Sequence, residues 1–484
     1  MHTKSEDKDV ISFNGRIVQF GFGAVGKSFF EKISKEIKFD EFKYYVITKE
    51  KEEFEAYINL GGVSTNFITT EVTKENYQEV FSQYLQKGDL LIDFADSVGT
   101  RDFCQWCAEN NIMYLNTGET DWADNWYNIF NEHEKKVELQ DFYKDKQDKN
   151  IYPIVLQHGN NPGLVSHFVK AGISYIINSQ FKRNKHLKNL LKYGKYNEIA
   201  KIIGIKMIHI NDIDLQEIKV EFNEDHLISP WCIDSFWFEM LSEATFNVGT
   251  HEDLDDIEHC NLYNKEKGYF EFKELAIDKK CRTYYPNGIF EGHMVPHEET
   301  ITIAKSLEVK ENNKTIYRPS VMFLYSPCRY ARDFLQKAKG KDGKEIIRGY
   351  AYPKDWEILY PEKISSGTEY VGVLILGEKF KPVWVGNRIE CSFLAKDKKT
   401  SFWQTPTITP VAMSALAAVC WMLKNKEKGG IYFPDDIIDY SYIIKIAEKY
   451  ISKTIYKTFE NNEIEQHLNI ELSKLQTKDL IISV

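Results

Sequence analysis

The sequence predicts an α/β protein, with an N-terminal doubly wound parallel sheet followed by a larger α+β domain. First, short apolar runs alternate with helically spaced apolar residues through the first 160 residues. Such alternation is typical of a mostly parallel sheet covered on both faces. Second, this texture changes after Pro162, where strand candidates become scattered. Third, 484 residues correspond to about two to four packed units, at roughly 100–200 residues each.

Each element of the first part follows from its apolar spacing. Short apolar runs predict buried strands, and apolar residues three or four positions apart predict helices. The strand candidates are Ile17–Phe20, Tyr44–Ile47, Leu90–Ala95, Ile112–Leu115 and Tyr152–Leu156. The helix candidates are Phe29–Ile37, Tyr77–Leu85 and Arg101–Glu109.

The second part is less regular. Gly163–Ile177 is predicted to be a helix, and the charged stretch Phe181–Tyr196 an exposed helix or linker. Short strands are expected from Met207 to about Leu307, and stronger ones at Tyr317–Tyr325 and Tyr370–Leu376. Thr409 and Pro410 favour a helix start, so a helix is placed at 409–428. The predicted loop is Lys337–Lys344, and the tail from Ile451 is expected to be helical.

Charge and composition exclude several classes of protein. The net charge of −10 and the pI near 5.8 argue against a general nucleic-acid binder. The longest nearly apolar stretch, Val411–Leu423, is well short of the ~20 residues that span a bilayer. Eight cysteines are too dilute for a disulfide scaffold. We therefore expect a cytoplasmic protein with reduced thiols and no membrane partner.

A glycine-rich turn, Gly21–Gly26 (GFGAVG), follows the first predicted strand and opens the first predicted helix. This context makes G-x-G-x-x-G a dinucleotide-binding motif of the Rossmann type. Gly21 permits the tight turn, Gly23 lets a pyrophosphate approach the backbone, and Gly26 lets the helix pack on the strand. The predicted cofactor contacts are Gly21, Gly23, Ala24, Val25 and Gly26. A purely structural turn is the alternative.

These observations divide the chain into a dinucleotide-binding domain at 1–160 and a substrate-binding domain at 161–484. The 409–428 helix could return to the cofactor domain.

An acid usually ends the second strand and binds the adenosine ribose. Thr48 stands there instead, followed by Lys49 and Glu50. Glu50 could bind a ribose hydroxyl and Lys49 a 2′-phosphate, so the motif leaves NAD and NADP both open.

Polar side chains follow several strands of the predicted sheet, where the ligand crevice of such a fold lies. They are Asp93, Asp96, Asn116–Glu119 and His158–Gly163. Within these segments we predict cofactor contacts from Asp93, Thr117, Asn161 and Pro162. Turn formation and helix capping are alternative uses for Asp, Asn and Thr. Glu119 is not a preferred turn residue, which favours a functional role.

Two further clusters lie in the second part. Pro230–Glu239 (PWCIDSFWFE) combines aromatic residues with Asp234 and Glu239, and His293 precedes the run His297–Glu299 (HEE). Carboxylates would bind the ends of a diammonium substrate, and an aromatic face would bind a cation between them. Packing in the core or a solvated polar edge would also explain these residues.

One motif is interpreted as structural. Cys104 and Cys107 form a C-x-x-C, but no second ligand pair with finger-like spacing accompanies them. The pair falls in a predicted sheet-covering helix, so buried thiols are expected. No metal site is predicted.

Four segments together resemble the bacterial homospermidine synthases: GFGAVG, His158–Phe168 (HGNNPGLVSHF), Pro230–Glu239 and His297–Glu299. The resemblance runs from about residue 15 to 440, and the Asn-Pro-Gly-Leu-Val-Ser-His segment is its most specific part. It implies a dinucleotide domain and a substrate domain related to saccharopine dehydrogenase. It also implies NAD as a bound, recycled cofactor, putrescine and spermidine as substrates, and a homodimer whose larger domain also carries dimerisation. Thr48 departs from the pattern at the ribose.

The resemblance also implies site residues. Matching positions are Glu119, Asn161, Asp212, Trp231, Glu239, His297 and Glu299, while Asp96 and Asp234 are plausible neighbours. We assign catalysis to Trp231, Glu239, His297, Glu299 and Asn161, and substrate binding to Glu119, Asp212, Asp234 and Asp96. Asp212 stands where the family has an acid one carbon longer.

Two other classes of protein remain open. A net amino-acid dehydrogenase of the saccharopine type should place arginines around a carboxylate substrate, whereas the clusters here hold acids and aromatics. A non-catalytic dinucleotide sensor would not need the clusters at all.

Overall fold

The computed structural model describes residues 10–96, 98–122, 138, 151–229, 231–254, 260–264, 266–341, 346–394 and 403–483. Two sheets organise it: a parallel sheet of seven strands, mostly N-terminal, and a mixed sheet of eleven strands. The predicted fold class is confirmed.

The N-terminal sheet is parallel throughout, and its inner strands are buried on both faces, which explains their continuous apolar sequences. From edge to edge the strands are Gly430–Tyr432, Pro153–Val155, Met113–Asn116, Leu90–Asp93, Ile17–Phe20, Tyr44–Thr48 and Phe67–Thr69. The first of these comes from residues that the sequence places in the second domain. Helices accompany the sheet at Ala24–Glu36, Phe54–Asn59, Tyr77–Ser82, Thr100–Glu109 and Ile408–Lys424.

The long apolar helix Ile408–Lys424 packs against Ala24–Glu36, the helix that follows the glycine turn. Its first residues were expected to be Thr409 and Pro410, but it begins one residue earlier. Thr405 provides the hydroxyl that accepts a hydrogen bond from the Ile408 N–H at 3.0 Å. A helix and a strand from the C-terminal part of the chain therefore join the N-terminal parallel sheet.

The larger sheet combines one parallel pair, Ser320–Ser326 beside Ile205–Asp214, with antiparallel neighbours. Its main path is Cys260–Asn264, Tyr269–Leu275, Glu243–Asn247, Ser320–Ser326, Ile205–Asp214, Thr368–Gly377, Val383–Glu390 and Ile455–Thr458. Gly288–Val295 also pairs with Ser320–Ser326, and Lys279–Tyr285 lies between Gly288–Val295 and Ile481–Ser483. The carboxyl ends of the parallel pair lead towards the candidate site.

The remaining elements surround this sheet. The helices are Leu164–Gln180, Lys185–Lys192, Tyr196–Ile203, Ile233–Leu241, Glu298–Ser306, Arg329–Ala338, Cys391–Leu394, Tyr440–Ala447 and Asn461–Leu468. Short paired strands are Ile11–Ser12 with Ile37–Lys38, Glu217–Ile218 with Ile364–Ser366, His226–Ser229 with Asp355–Ile358, Val309–Glu311 with Lys314–Tyr317, and Ile346–Ile347 with Tyr350–Ala351. None of the described helices is both long and apolar enough to cross a membrane.

Some element predictions were wrong. The first helix begins at Ala24 rather than Phe29. Apolar spacing did not reveal its first turns, because Lys27 and Ser28 are buried there despite being polar. The tail after Ile451 is not simply helical, since it adds the strands Ile455–Thr458 and Ile481–Ser483 to the larger sheet. Lys337 belongs to the helix Arg329–Ala338, and residues 342–344 of the predicted loop lie outside the described residues, as does Pro230.

Candidate active site

The glycine turn has the geometry that a dinucleotide phosphate requires. Gly21 has φ of 86°, and a Cβ there would lie 2.9 Å from the backbone nitrogen of Ala95. A Cβ on Gly26 would lie 2.7 Å from the carbonyl oxygen of Gly21. A Cβ on Gly23 would meet nothing within 4 Å, and the helix begins at the next residue, Ala24. Open space before a helix N-terminus fits a pyrophosphate.

We expect Gly23→Val to weaken NAD binding by at least about tenfold, a cost of ~1.4 kcal/mol. The added side chain would occupy the phosphate space, while the open surroundings of Gly23 let the protein fold normally. Calorimetric titration with NAD measures the affinity, and a thermal melt of the same sample verifies folding. Wild-type affinity in a folded variant would place the cofactor elsewhere.

The end of the second strand differs from the usual acid-bearing pattern. Thr48 is buried, and its hydroxyl accepts a hydrogen bond from the Glu50 N–H at 3.2 Å, while the Glu50 side chain is exposed. Glu53, which has no predicted role from the sequence, contacts the Lys27 ammonium at 2.6 Å. Burial lowers the pKa of Lys27, and Glu53 opposes that shift. The Lys27 ammonium also lies 3.8 Å from the centre of the Trp403 ring.

Asp93, the last residue of the strand Leu90–Asp93, and Asp96, which follows that strand, have different surroundings. Asp93 is buried, accepts hydrogen bonds from Tyr114 Oη at 2.9 Å and the Ala95 N–H at 3.0 Å, and has its pKa raised to about 7 by burial. Asp96 is exposed and accepts a hydrogen bond from the Cys232 thiol at 3.4 Å. Asp93 therefore supports its own turn, and Asp96 faces the start of the helix Ile233–Leu241.

The turn after the next strand is held by Asn116. Its Nδ2 donates to the carbonyl of Gly118 at 2.6 Å, and its Oδ1 accepts from the Gln157 N–H at 2.7 Å. Thr117 is half-buried in this turn, and Glu119 follows it. The Glu119 N–H donates to Glu298 Oε1 at 3.3 Å, and Gln157 Nε2 donates to Glu119 Oε2 at 3.4 Å. Glu119 thus joins the turn after the strand Met113–Asn116 to the HEE segment.

Asn161 connects the two sheets. It lies with Pro162 in the loop before the helix Leu164–Gln180, and its Nδ2 donates to Asp212 Oδ2 at 2.8 Å. Gly163 has φ of 134°, and a Cβ there would clash with the carbonyl oxygen of Gly159. Close packing at Gly163 therefore fixes the loop that presents Asn161.

His297 lies at the centre of an acidic cluster in which Glu298 and Glu299 are buried and Glu239 is partly exposed. Its Nδ1 is 2.5 Å from Glu299 Oε2 and 3.7 Å from Glu298 Oε2, and its Nε2 is 3.5 Å from Glu239 Oε1. Burial disfavours the imidazolium, but the Glu299 and Glu239 carboxylates outweigh burial and raise the pKa of His297 well above its usual value. Burial raises the pKa values of Glu239 and Glu299. The cluster can hold and move protons.

Aromatic side chains line the neighbouring space. The Phe323 ring lies 4.1 Å from the His297 ring, and Tyr325 follows on the same face of that strand. Trp231 is half-buried, and its Nε1 is 3.4 Å from Tyr325 Oη. Tyr325 is paired in register with Asp212 on the adjacent strand. Trp231, the His297 cluster and Asp212 therefore surround one region.

The remaining residues that the sequence singled out have other surroundings. Asp234 is exposed and accepts a hydrogen bond from Tyr352 Oη at 2.6 Å. His293 makes a 3.1 Å hydrogen bond with the Ala276 carbonyl, and burial lowers its pKa to about 4. Cys104 and Cys107 are both buried in the helix Thr100–Glu109.

Four further residues of this region had no predicted site role: Glu298, Tyr325, Asp214 and Glu369. Asp214 is two residues from Asp212 on one strand, so alternation could have found it. Glu369 begins a long apolar strand, and its proximity to Asp214 follows only from the pairing of two distant strands.

Comparisons with known proteins show which proteins this chain resembles. Residues 17–151 match the family described as saccharopine dehydrogenase NADP binding domain. A homospermidine synthase of Mesorhizobium japonicum is 24% identical over 446 residues, covering 90% of this chain and 89% of the relative. A homospermidine synthase of Blastochloris viridis is 25% identical over 456 residues, covering 91% of each. This chain resembles homospermidine synthase over nearly its whole length.

Solved structures extend the comparison to the fold. The crystal structure of homospermidine synthase from Legionella pneumophila in complex with NAD has a TM-score of 0.83 at 22% identity, covering 99% of this chain and all of that one. An apo saccharopine dehydrogenase from Saccharomyces cerevisiae has a TM-score of 0.51 at 10% identity, covering 92% of this chain. The predicted resemblance is confirmed, as are the predictions of an enzyme and of a dinucleotide cofactor, which is NAD in the solved homospermidine synthase.

Proposed function

We propose that this protein is an NAD-dependent homospermidine synthase that joins two putrescines and releases ammonia, with spermidine as an alternative aminobutyl donor. The observation that carries this is the buried His297 imidazole between Glu239 and Glu299, beside the aromatic side chains and Asp212. Acids and aromatic rings suit a diammonium substrate and a cationic intermediate. None of the described hydrogen bonds or ion pairs of Trp231, Glu239, His297, Glu299, Asp212 and Asn161 involves an arginine, which a carboxylate substrate would favour.

The residues of the glycine turn fit NAD. Gly23 would receive the pyrophosphate against the N-terminus of the helix Ala24–Glu36, and Glu50 or Glu53 would lie towards the ribose. When bound, the nicotinamide supplies a hydride acceptor for the amine carbon and a hydride donor for the product imine. The alternative, a net oxidoreductase, would release the reduced cofactor instead.

The His297 cluster would manage the protons of the reaction. The attacking amine must lose a proton before it adds to the imine carbon, and the departing nitrogen must gain one to leave as ammonia. Glu239 is placed to accept the first proton, because its raised pKa makes it a stronger base than an exposed carboxylate. The His297 imidazolium, held by Glu299, is placed to donate the second.

The surrounding residues would bind and orient the chain of the substrate. Asp212 binds a distal ammonium, and Asn161 fixes the Asp212 carboxylate through the 2.8 Å hydrogen bond. Trp231 faces the cationic carbon–nitrogen unit. Glu119 and Asp96 attract ammonium groups from the side of the cofactor domain. The homodimer and the cytoplasmic location remain predictions.

Purified protein with NAD⁺ and putrescine tests the proposal, with products identified by mass spectrometry. We expect homospermidine and ammonia to form without net accumulation of NADH. Oxidised amine together with stoichiometric NADH would support a simple dehydrogenase, and no turnover with NAD bound would support a sensor.

The putrescine KM should rise as the pH falls through about 6. Burial raises the pKa of Asp212 to about 6, although its hydrogen bond from Asn161 opposes the shift. Above that pH Asp212 is charged and binds ammonium, and below it the charge is lost. Initial rates at several pH values measure the effect. In Asp212→Asn the KM should already be high and should change less over this range, whereas an unaltered profile would remove Asp212 from substrate binding.

A further inference from the structure

Three acidic side chains lie together next to the proposed amine site, on the neighbouring strands Ile205–Asp214 and Thr368–Gly377. Asp212 and Asp214 share one face because they are two residues apart. Glu369 is the direct cross-strand partner of Asp214. The three residues are 6%, 2% and 1% exposed, respectively. They form a buried carboxyl cluster.

The cluster has too few hydrogen-bond donors for three carboxylates. Asn161 Nδ2 donates to Asp212 Oδ2, and the backbone and side-chain nitrogens of Gln216 donate to Asp214 Oδ1 at 2.8 and 2.9 Å. The Thr407 hydroxyl and the Cys328 backbone N–H also face Glu369 and Asp214, respectively. One oxygen of each acid still has no hydrogen-bond partner in the described part of the chain: Asp212 Oδ1, Asp214 Oδ2 and Glu369 Oε2. Within that same part, no lysine or arginine pairs with any of the three carboxyls.

Three buried negative charges at this spacing would repel one another strongly. Like charges directly opposite on paired strands are destabilising, and burial disfavours each charge further. A proton retained by one carboxyl removes one charge and supplies one of the missing donors. Neighbouring carboxyls commonly share protons in this way.

We propose that Glu369 keeps its proton and donates it as a hydrogen bond to Asp212, so that Asp212 holds its charge and orientation for the substrate ammonium. Glu369 is then a positioning residue, not a further charge in the site. The identity of the bound ammonium rests on the proposed function, whereas the proton on Glu369 does not.

The surroundings favour Glu369 as the protonated member. Burial raises the pKa of Glu369 well above its usual value, and the charges of Asp212 and Asp214 raise it further. His297 and Glu239 face Asp212, and Tyr325 lies beside it. Cys328 and Cys391 face Asp214, and Cys391 also faces Glu369. Of these groups, His297 provides the positive charge, and it acts on Asp212, which favours the charged form of that acid.

Calorimetric titration of the NAD-loaded enzyme with putrescine distinguishes a neutral Glu369 from a charged one. Glu369→Gln keeps an N–H donor and the neutral state, so the affinity should stay within about twofold of wild type. Glu369→Leu removes the donor and should weaken binding by at least about tenfold, as should Asp212→Asn. The loss in Glu369→Leu should appear in KM rather than kcat. A Glu369→Gln protein as weak as Asp212→Asn would overturn the proposal, and so would a Glu369→Leu protein that binds like wild type.

Infrared spectroscopy tests the proton without any substrate. In protein labelled with ¹³C-glutamate, the difference spectrum of wild type minus Glu369→Gln should show the carbonyl stretch of a protonated glutamic acid near neutral pH. A carboxylate band alone would contradict the proposal, whatever the enzyme does with amines. If the acid band is present but wild type does not bind putrescine, the proposed function fails and the assignment of the proton stands.

Discussion

Replacing Glu239 with Gln should lower kcat/KM for putrescine by about 100-fold or more, because general acid–base groups typically contribute 10²–10⁴. The amide keeps the shape of the side chain but cannot accept the proton of the attacking amine. It also removes the carboxylate that lies 3.5 Å from His297 Nε2. Steady-state rates with putrescine measure the effect, and NAD affinity should remain near that of wild type.

A charge-matched control separates this role from a general loss of negative charge. Glu221 is exposed, and Glu221→Gln should keep wild-type kinetics. Glu119→Gln should raise the putrescine KM more than it lowers kcat, because it removes a carboxylate next to the HEE segment, where Glu298 accepts a hydrogen bond from the Glu119 backbone N–H. Unchanged kinetics in both Glu239→Gln and Glu119→Gln would remove these acids from the site.

Trp231→Leu should lower kcat by about 2- to 30-fold, which corresponds to a cation–π energy of ~0.5–2 kcal/mol. The iminium carbon–nitrogen unit is more cationic than the neutral reacting amine, so the ring stabilises the chemical step more than binding. Trp231→Phe retains an aromatic face and should keep more activity than Trp231→Leu. Rate constants of fully folded variants provide the comparison.

A structural role for Trp231 makes a different prediction. If the ring only packs against Phe236 and Tyr325, both substitutions should lower the melting temperature, and activity should follow the folded fraction. Trp356 is 47% exposed, so Trp356→Leu controls for the loss of a tryptophan. Equal kcat values in folded Trp231→Phe and Trp231→Leu would exclude the cation–π role.

Local sequence was sufficient for the N-terminal sheet. Ile17–Phe20 is a strand with the predicted bounds, and the glycine turn follows it because Gly21 needs a positive φ. These features depend on residues close together in the chain. The strand Gly430–Tyr432 could not be assigned to the same sheet, because its pairing with Pro153–Val155 joins residues far apart in sequence.

In the candidate site, too, only features formed by residues close together in the sequence could be predicted from the residues alone. HEE could be identified as a polar cluster because His297, Glu298 and Glu299 are consecutive, and the resemblance supplied Trp231 and Glu239. Their closeness in space depends on the helix Ile233–Leu241 meeting the start of Glu298–Ser306, which no local pattern encodes. Glu369 was missed for the same reason, since its position beside Asp214 follows from strand register alone.

Putrescine deuterated at the carbons next to its nitrogens tests the central claim, a hydride that is taken from the amine and returned within one active site. The enzyme is supplied with NAD⁺ and an excess of unlabelled NADH, and mass spectrometry measures the deuterium content of the product. We expect homospermidine that keeps all of its deuterium, with ammonia released and no net change in NADH. Homospermidine that has exchanged deuterium for hydrogen would show that the hydride comes from free NADH, and the absence of homospermidine in the presence of bound NAD would contradict the proposed function itself.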